Sequence, residues 1–518
     1  MSAPFAYAWL LEHAKTTPGA PCIGTPAGWT SYADLASRMQ TLRAALAARG
    51  LHEGDIVMNA VVDGPASAAF TLAAQSLGAC VAEIDRSLES GAIAMIGRET
   101  KARFAAVEGR DAPSAAKHGF ECLFIHHRED PAARIAEKLG RGTYAWLKED
   151  GAVDGGPAVG PWSGGPSSDA LPALLVYTSG STGTPRGVIQ THRNLAANTQ
   201  AIVRYLELTR ADRACLVLPL FYCYGKSVHL THLYAGGSVY IDHRFMYPRV
   251  VLEAMAAERC TGFAGVPLTF ELLKRQVDVR SVPLPDLRYV TQAGGAMHPD
   301  TIDWARDAFR PARLFVMYGQ TEATARITYL PPDRAVDKRG SVGRPVDSVV
   351  LKIVDDAGVA LPPRSIGHLW ASGESITPGY FEAAEETSQI LKDGWLVTGD
   401  LGYLDEDGFL FLTGRTKEIL KLGGHRVSAK EIEEALARHP AVVEVAVTGT
   451  SDPVAGEAAV AFVVKRADAE LADDDVRRWA REHLAAYKVP RDVVFLEALP
   501  RTRNGKIARA ELVGPKSG

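Results

Sequence analysis

From Ser31 to Ile96 the chain alternates between two kinds of pattern. Long stretches such as SYADLASRMQTLRAALAARG repeat their apolar residues at helical spacing, while DIVMNAVV and CVAEID are short apolar runs. Runs from Arg103 to Val107 and from Phe120 to Ile125 continue the strand signal. Strand runs separated by helical stretches predict a layered α/β architecture with mainly parallel strands. Between Glu149 and Asp169 the residues are rich in Gly, Pro and Ser, which predicts a surface connection. The apolar run LPALLVY beyond it is expected to add another buried strand to the same sheet.

A second α/β pattern runs from Asn194 to about Phe315, with ACLVLPL, GSVYID and RLFVMYG as its clearest strands. From Gly340 to Thr413 short strands and tight turns take over, predicting a β-rich subdomain. After Gly414 the helix signals in EILKLGGHRVSAKEIEEALARHP and DDDVRRWAREHLAAY flank the strand runs VVEVAVTG and AAVAFVVK, a compact α+β unit. The expected division is 1–414 as a large N-terminal α/β domain, its residues 340–414 forming the β-rich subdomain, and 415–518 as a small C-terminal domain.

Composition excludes several classes. With 518 residues the chain is too long for one core. A hydrophobic content of 47% and a charged content of 23% fit a globular enzyme. A net charge of −4 leaves no footprint for nucleic acid or an anionic membrane. The six cysteines (Cys22, Cys80, Cys122, Cys215, Cys223, Cys260) lack C-x-x-C spacing, against a zinc site or disulfide framework and for a reducing compartment. MSAPFAYAWLLEHAK lacks a basic start and is interrupted by Glu12, so it reads as an amphipathic helix. No window reaches a membrane span, and a cytoplasmic enzyme is expected.

The stretch YTSGSTGTPRGV, Tyr177 to Val188, carries the first candidate chemistry. Its small residues let backbone N–H groups approach a ligand, and the hydroxyls of Thr178, Ser179, Ser181 and Thr182 add donors, which suits a triphosphate. It is neither the P-loop pattern nor a G-x-G-x-x-G, and alone it is also compatible with a plain connection.

Four further motifs follow in order: YGQTEA at Tyr318 to Ala323, TGDLG at Thr398 to Gly402, GRTKEILKLGGHRVS at Gly414 to Ser428, and PRTRNGKI at Pro500 to Ile507. Together the five resemble the adenylate-forming superfamily of acyl-CoA synthetases, amino-acid adenylation domains and luciferases, over essentially the whole chain. The resemblance implies a C-terminal domain that is mobile about a hinge at Lys417. It implies a two-step reaction: a carboxylate attacks the α-phosphate of ATP, releasing pyrophosphate, and a thiol then takes the acyl group. Bringing two anions together demands charge neutralisation and alignment.

The resemblance assigns Thr178, Ser179, Gly180, Ser181, Thr182 and Gly183 to the phosphates, Thr321 to the α-phosphate and Glu322 to Mg2+. Tyr318, Gly319 and Gln320 on one side and Gly294, Gly295 and Ala296 on the other would hold adenine, with Asp400 and Arg415 on the ribose. Lys506 would bridge carboxylate and phosphate oxygens; a compact ammonium suits that task. Rotation at Lys417 would exchange Lys506 for Gly423, Gly424 and His425, which line the thiol tunnel with Arg426, and bring Lys421 near. The bland alternatives are an exposed glutamate for Glu322, a turn residue for Asp400, a solvated charge for Lys506 and a helix-preceding turn for Gly424.

Phe221, Tyr222, Cys223, Tyr224 and Gly225, with Ala325, are the acid-pocket candidates. The segment offers no carboxylate, so an α-amino acid is disfavoured, because its ammonium would go unpaired. The aromatic run ending in Tyr-Gly resembles benzoate-type ligases and favours an aryl acid; small Ala323, Thr324 and Ala325 would also suit a medium-chain fatty acid. Tyr222 and Tyr224 are equally compatible with plain packing. Coenzyme A is the expected thiol, with a carrier protein in trans as the alternative partner and a homodimer as a candidate assembly. A non-catalytic nucleotide binder is the remote reading. His368 stands where the family usually has glutamate, a departure expected to touch local structure only.

Overall fold

The structure is a computed structural model, which describes residues 4–85, 90–102, 104–108, 121–125, 145–147, 165–178, 186–422, 425–452, 456–501 and 507–512. The chain clusters into two compact units, Met1–Pro332 with Pro345–Val349 and Ser372–Gly394, and Asp333–Arg344 with Val350–Ala371 and Trp395–Gly518.

The first unit is built on two sheets. In the smaller, the strands Ala145–Leu147, Glu121–Ile125, Phe104–Glu108, Ile56–Ala60, Cys80–Glu83 and Pro172–Thr178 lie side by side and parallel. Arg186–Thr191 closes that edge as an antiparallel partner of Pro172–Thr178. The apolar run after the Gly/Pro-rich connection thus joins the N-terminal strands, as expected. The larger sheet runs Thr328–Leu330, Arg313–Tyr318, Tyr289–Gln292, Gly262–Gly265, Arg213–Leu216, Ser238–Ile241, Pro21–Thr25, Gly28–Ser31. Its first and last strands here are antiparallel to their neighbours and the others parallel.

Helix starts follow local sequence chemistry. Ser31 accepts from the Asp34 N–H at the head of Tyr32–Ala48, and Thr191 does the same for Asn194 at the head of His192–Leu206, each with the reciprocal bond of a capping box. These helices, together with Pro65–Ser76 and Cys223–Ala235, fill the space between the sheets. One apolar cluster joins Val57, Val81 and Leu174 of the smaller sheet to Ile23, Leu216 and Phe315 of the larger through Leu35, Leu72, Leu195 and Leu230. In Cys223–Ala235 every residue from Cys223 to Leu233 is buried. The run ACLVLPL is strand only over Arg213–Leu216; its remainder leads to the start of this helix.

In the second unit, Val349–Val354, Gly367–Gly373, Trp395–Leu404 and Leu410–Arg415 pair in that order. A separate sheet carries His425–Ser428, Ile419–Leu422, Gly456–Lys465 and Val442–Asp452, with Asp492–Phe495 parallel to Gly456–Lys465. Helices Ala429–Leu436 and Asp473–His483 cover it through Ile432, Leu436, Val476 and Ala480. The second helix stops at His483, short of the expected end, because Leu484 turns extended and packs against that core. Fold class is as expected: a large N-terminal α/β part with β-rich strands and a smaller α+β C-terminal part. Among the described residues no helix is long and apolar enough to cross a membrane.

Candidate active site

In the first unit the candidate residues gather beyond the carboxyl ends of the larger sheet's parallel strands, where open α/β sheets place their ligands. Strand Arg313–Tyr318 delivers Tyr318 there. Gly319 follows because a Cβ at that position would lie 1.9 Å from the Ala325 carbonyl oxygen. After Gln320 the chain makes one 3-10 turn, Thr321–Ala323, and then reverses sharply at Thr324 with φ 68° and ψ −64°. The Ala325 N–H donates to the Ala323 carbonyl at 2.8 Å, so Thr324 is the centre of a γ-turn of the rare, strained hand. Such strain persists only where neighbours over-determine the conformation. Here Gln190 Nε2 donates to the carbonyls of Thr321 (3.0 Å) and Thr324 (3.1 Å), and Thr324 Oγ1 donates to the Ser375 carbonyl at 2.7 Å.

The turn presents Thr321 and Glu322. The Thr321 hydroxyl lies 3.6 Å from Cys223 Sγ, at the head of the buried helix. Glu322 accepts from the Tyr380 hydroxyl at 2.8 Å, while the Thr377 N–H donates to its backbone carbonyl. Burial, reinforced by the Glu322 charge, pushes the Tyr380 phenol up, so it stays a donor. Among the described residues no group of three or more His, Cys, Asp and Glu could hold a metal ion. A single carboxylate nevertheless fits Mg2+, which keeps several waters and takes substrate phosphate oxygens as ligands.

Glu322 is linked to the glycine-rich hairpin. Tyr177 pairs with Gly187 and Thr178 with Arg186 across the antiparallel strands. The Phe381 N–H donates to the Gly187 carbonyl, and Val188 forms a bridge with Tyr380. The Arg186 guanidinium stands 5.7 Å from the Tyr380 ring centroid and 3.7 Å from Glu386. Ser179, Gly180, Ser181, Thr182 and Gly183 lie outside the described residues, between these strands.

The acid-pocket candidates sit at the head of helix Cys223–Ala235. Gly225 is required by a close approach, since a Cβ there would come within 2.2 Å of the Pro219 carbonyl oxygen. Tyr224 is buried, its hydroxyl 2.8 Å from Thr291 Oγ1. Half-buried Tyr222 meets Gly294, whose φ of +86° and lack of Cβ let the Tyr222 hydroxyl come close. Gly295 and Ala296 beside it are exposed, and Phe221 is half-buried. Ala325 is buried against Gly319, so the small residues after Glu322 serve the turn itself.

Within the second unit Asp400 and Arg415 stand directly opposite each other on paired strands, Nε to Oδ1 2.8 Å. Asp400 is buried. Lys417 lies in the turn Thr416–Glu418, and exposed Lys421 lies on Ile419–Leu422. The His425 ring stacks on Tyr487 at 4.1 Å, and Arg426 follows on the same strand. His368 Nε2 is 2.9 Å from Asp356, a local contact. Gly423, Gly424 and Lys506 lie outside the described residues.

Sequence reasoning missed Gln190, Tyr380 and Arg326. The first two act through partners 131 and 58 residues away, which no local pattern shows. Arg326 did leave a signal: one charge among small residues before the buried run ITYL.

Residues 10–381 match a family model described as AMP-binding enzyme, and residues 431–506 match the AMP-binding enzyme C-terminal domain. A feruloyl-CoA synthase of Amycolatopsis sp is 32% identical over 516 residues, 97% of each chain. A sulfoacetate–CoA ligase of Cupriavidus necator is 37% identical over 350 residues, 67% of this chain and 68% of that one. The structure of o-succinylbenzoate CoA synthetase from Bacillus subtilis in complex with its acyl-adenylate superposes with a TM-score of 0.83 at 25% identity, covering 98% of both chains.

Proposed function

Since this chain belongs to the AMP-binding enzyme family, we propose that it activates an aryl carboxylic acid as its adenylate and passes the acyl group to coenzyme A. Ligation of an acid to CoA through an adenylate is the activity of the enzyme. ATP, Mg2+ and CoA are its co-substrates and cofactor. The observation that carries the site is the strained turn presenting Thr321 and Glu322, bound through Gln190 to the strand that follows the glycine-rich loop.

Thr178 to Gly183 hold the phosphates through backbone N–H groups and hydroxyls, and the Thr321 hydroxyl bonds the α-phosphate. Glu322, aligned by the Tyr380 phenol, receives the metal. Mg2+, when bound, neutralises phosphate charge that would otherwise repel the incoming carboxylate. Tyr318 with Gly319 and Gln320, facing Gly294, Gly295 and Ala296, takes the adenine; Asp400, with Arg415 beside it, takes the ribose diol. Lys506 bridges carboxylate and phosphate oxygens in the first step. The domain beginning near residue 415 then turns about Lys417, bringing Gly423, Gly424 and His425 forward for the pantetheine thiol, with Lys421 and Arg426 beside them.

An aryl acid is favoured over a medium-chain one because Tyr222 and Tyr224 set two rings, centroids 6.4 Å apart, at the head of helix Cys223–Ala235, while Ala325 packs against Gly319 in the turn. Five described cysteines are free and buried, in keeping with a cytoplasmic enzyme. A carrier protein in place of CoA remains the second reading.

The test is pyrophosphate release from ATP with a panel of aryl and alkyl acids, followed by thioester formation with CoA and with a holo carrier protein. Lys506→Ala is expected to lose adenylation by roughly 100-fold or more, the scale of a displaced transition-state donor, while still turning a supplied acyl-adenylate into thioester. Equal loss of both steps would contradict the role given to Lys506.

A further inference from the structure

Arg326 is 3% exposed and has no ion pair among the described residues. Its backbone is pinned on both sides by Asn198, which accepts from the Arg326 N–H at 3.2 Å and donates to its carbonyl at 2.8 Å. Its guanidinium meets neutral groups, the Tyr205 hydroxyl among them. Nε lies 3.2 Å from the Met317 sulfur, and Cζ stands 4.0 Å over the Tyr224 ring. Elsewhere this chain pairs its buried charges: Lys226 with Glu83 at 2.6 Å, Asp405 with Lys338 at 2.8 Å, and Asp212 with the half-exposed Arg288 at 2.7 Å. A buried cation without a counter-charge carries a desolvation penalty that a thioether and a π face offset only in part. Arg326 departs from the chain's own rule.

Its position gives the departure a use. Arg326 follows directly on the turn that presents Thr321 and Glu322, and it stacks on the tyrosine at the head of the acid-pocket helix. It lines a hollow of about 10 Å³, room for a single water, whose polar members Ser227, Thr231, His232, Tyr289 and Thr291 include no carboxylate and whose other walls, Ile202, Leu206 and Phe263 among them, are apolar. Burial holds the His232 imidazole below its ordinary range, so it adds no second charge. The Arg326 charge also acts on Tyr205, Tyr222 and Tyr224, opposing the rise that burial imposes on each phenol.

We propose that Arg326 is the counter-charge for a second anionic group on the acid substrate, a carboxylate or a sulfonate remote from the carboxylate that is activated. The inference rests on the adenylation reading above and narrows it: the preferred aryl acid is a dianion. The guanidinium offers a planar fork matched to either oxyanion, and ligand binding supplies the ion pair that no described residue makes.

The test compares pyrophosphate release by the full chain on benzoate and on its meta and para carboxylate and sulfonate derivatives, with ATP and Mg2+ saturating. The dianions are expected to exceed benzoate in kcat/KM by about 10-fold or more, the scale of a charge-assisted hydrogen bond. The carboxylate and sulfonate arms show which oxyanion is preferred. Arg326→Met should bring the ratio near unity while benzoate is still used, and Arg326→Lys should keep part of it. A purely structural Arg326 would lower both classes in equal proportion, and an unchanged ratio in Arg326→Met therefore overturns the proposal. So does a wild-type preference for benzoate, which needs no variant to fold. Silence with every acid, benzoate included, would bring down the adenylation reading and this inference together.

Discussion

The ion pair between Lys226 and Glu83 couples the smaller sheet to the head of the acid-pocket helix, and replacing Lys226 by Met is the most informative perturbation of that link. The two side chains are 6% and 3% exposed and lie 2.6 Å apart. Glu83 also accepts from Thr71 Oγ1 at 2.9 Å and Asn59 Nδ2 at 3.3 Å. At an effective dielectric constant of about 20 the pair attracts by roughly 6 kcal/mol, most of which is spent on desolvating the two charges. Removing Lys226 alone withdraws the attraction and leaves the carboxylate buried, a loss of about 3–5 kcal/mol. Substituting Glu83→Gln in the same chain removes the stranded charge and keeps an acceptor for Thr71, so the double variant should recover about 2 kcal/mol or more. Urea unfolding followed by circular dichroism reads both values from the shift of the first transition. Pyrophosphate release reads the functional consequence, a raised KM for the acid as Tyr222 and Tyr224 shift with their helix. A Lys226→Met cost below about 1 kcal/mol, or a double variant no better than the single one, would refute this account of the pair.

Gln190→Leu should leave the Thr324 carbonyl without its donor and the Thr321 carbonyl with only the Thr324 N–H, a loss of roughly 1–3 kcal/mol for the orphaned group. Thermal melting measures it, and adenylation should fall with it. His192 supplies a pH prediction. Burial holds its imidazole down at about 4 against an ordinary 6.5, with Asp169 opposing the shift, and its Nε2 has no hydrogen-bond partner among the described residues. As pH falls from 6.5 toward 4, the unfolded chain binds a proton that the folded chain refuses, so stability is lost through that window. The loss amounts to about 2 kcal/mol at about pH 5, and His192→Phe should flatten the dependence of the urea midpoint on pH.

Much of this protein was legible from local pattern because the causes are local. The Ser31–Asp34 and Thr191–Asn194 boxes set helix starts within one turn, and the strand runs at Ile56–Ala60, Cys80–Glu83 and Arg313–Tyr318 fall where the apolar pattern put them. The motifs proposed for the nucleotide were readable in the same way, since each is a short run of glycines, hydroxyls and charges.

Tertiary structure decided which strands share a sheet. One alternating pattern yields two sheets, and the hairpin Pro21–Thr25 with Gly28–Ser31 joins the larger one, Pro21–Thr25 lying parallel to Ser238–Ile241 with Ile23 opposite Val239. It decided equally that Lys226 meets Glu83 across 143 residues, that Gln190 braces the Thr324 turn, and that Arg326 is buried without a counter-ion among the described residues. The physical reason is range. Caps, turns and periodicity are fixed by groups a few bonds apart, whereas burial and charge pairing depend on which layers of the folded chain come to face each other.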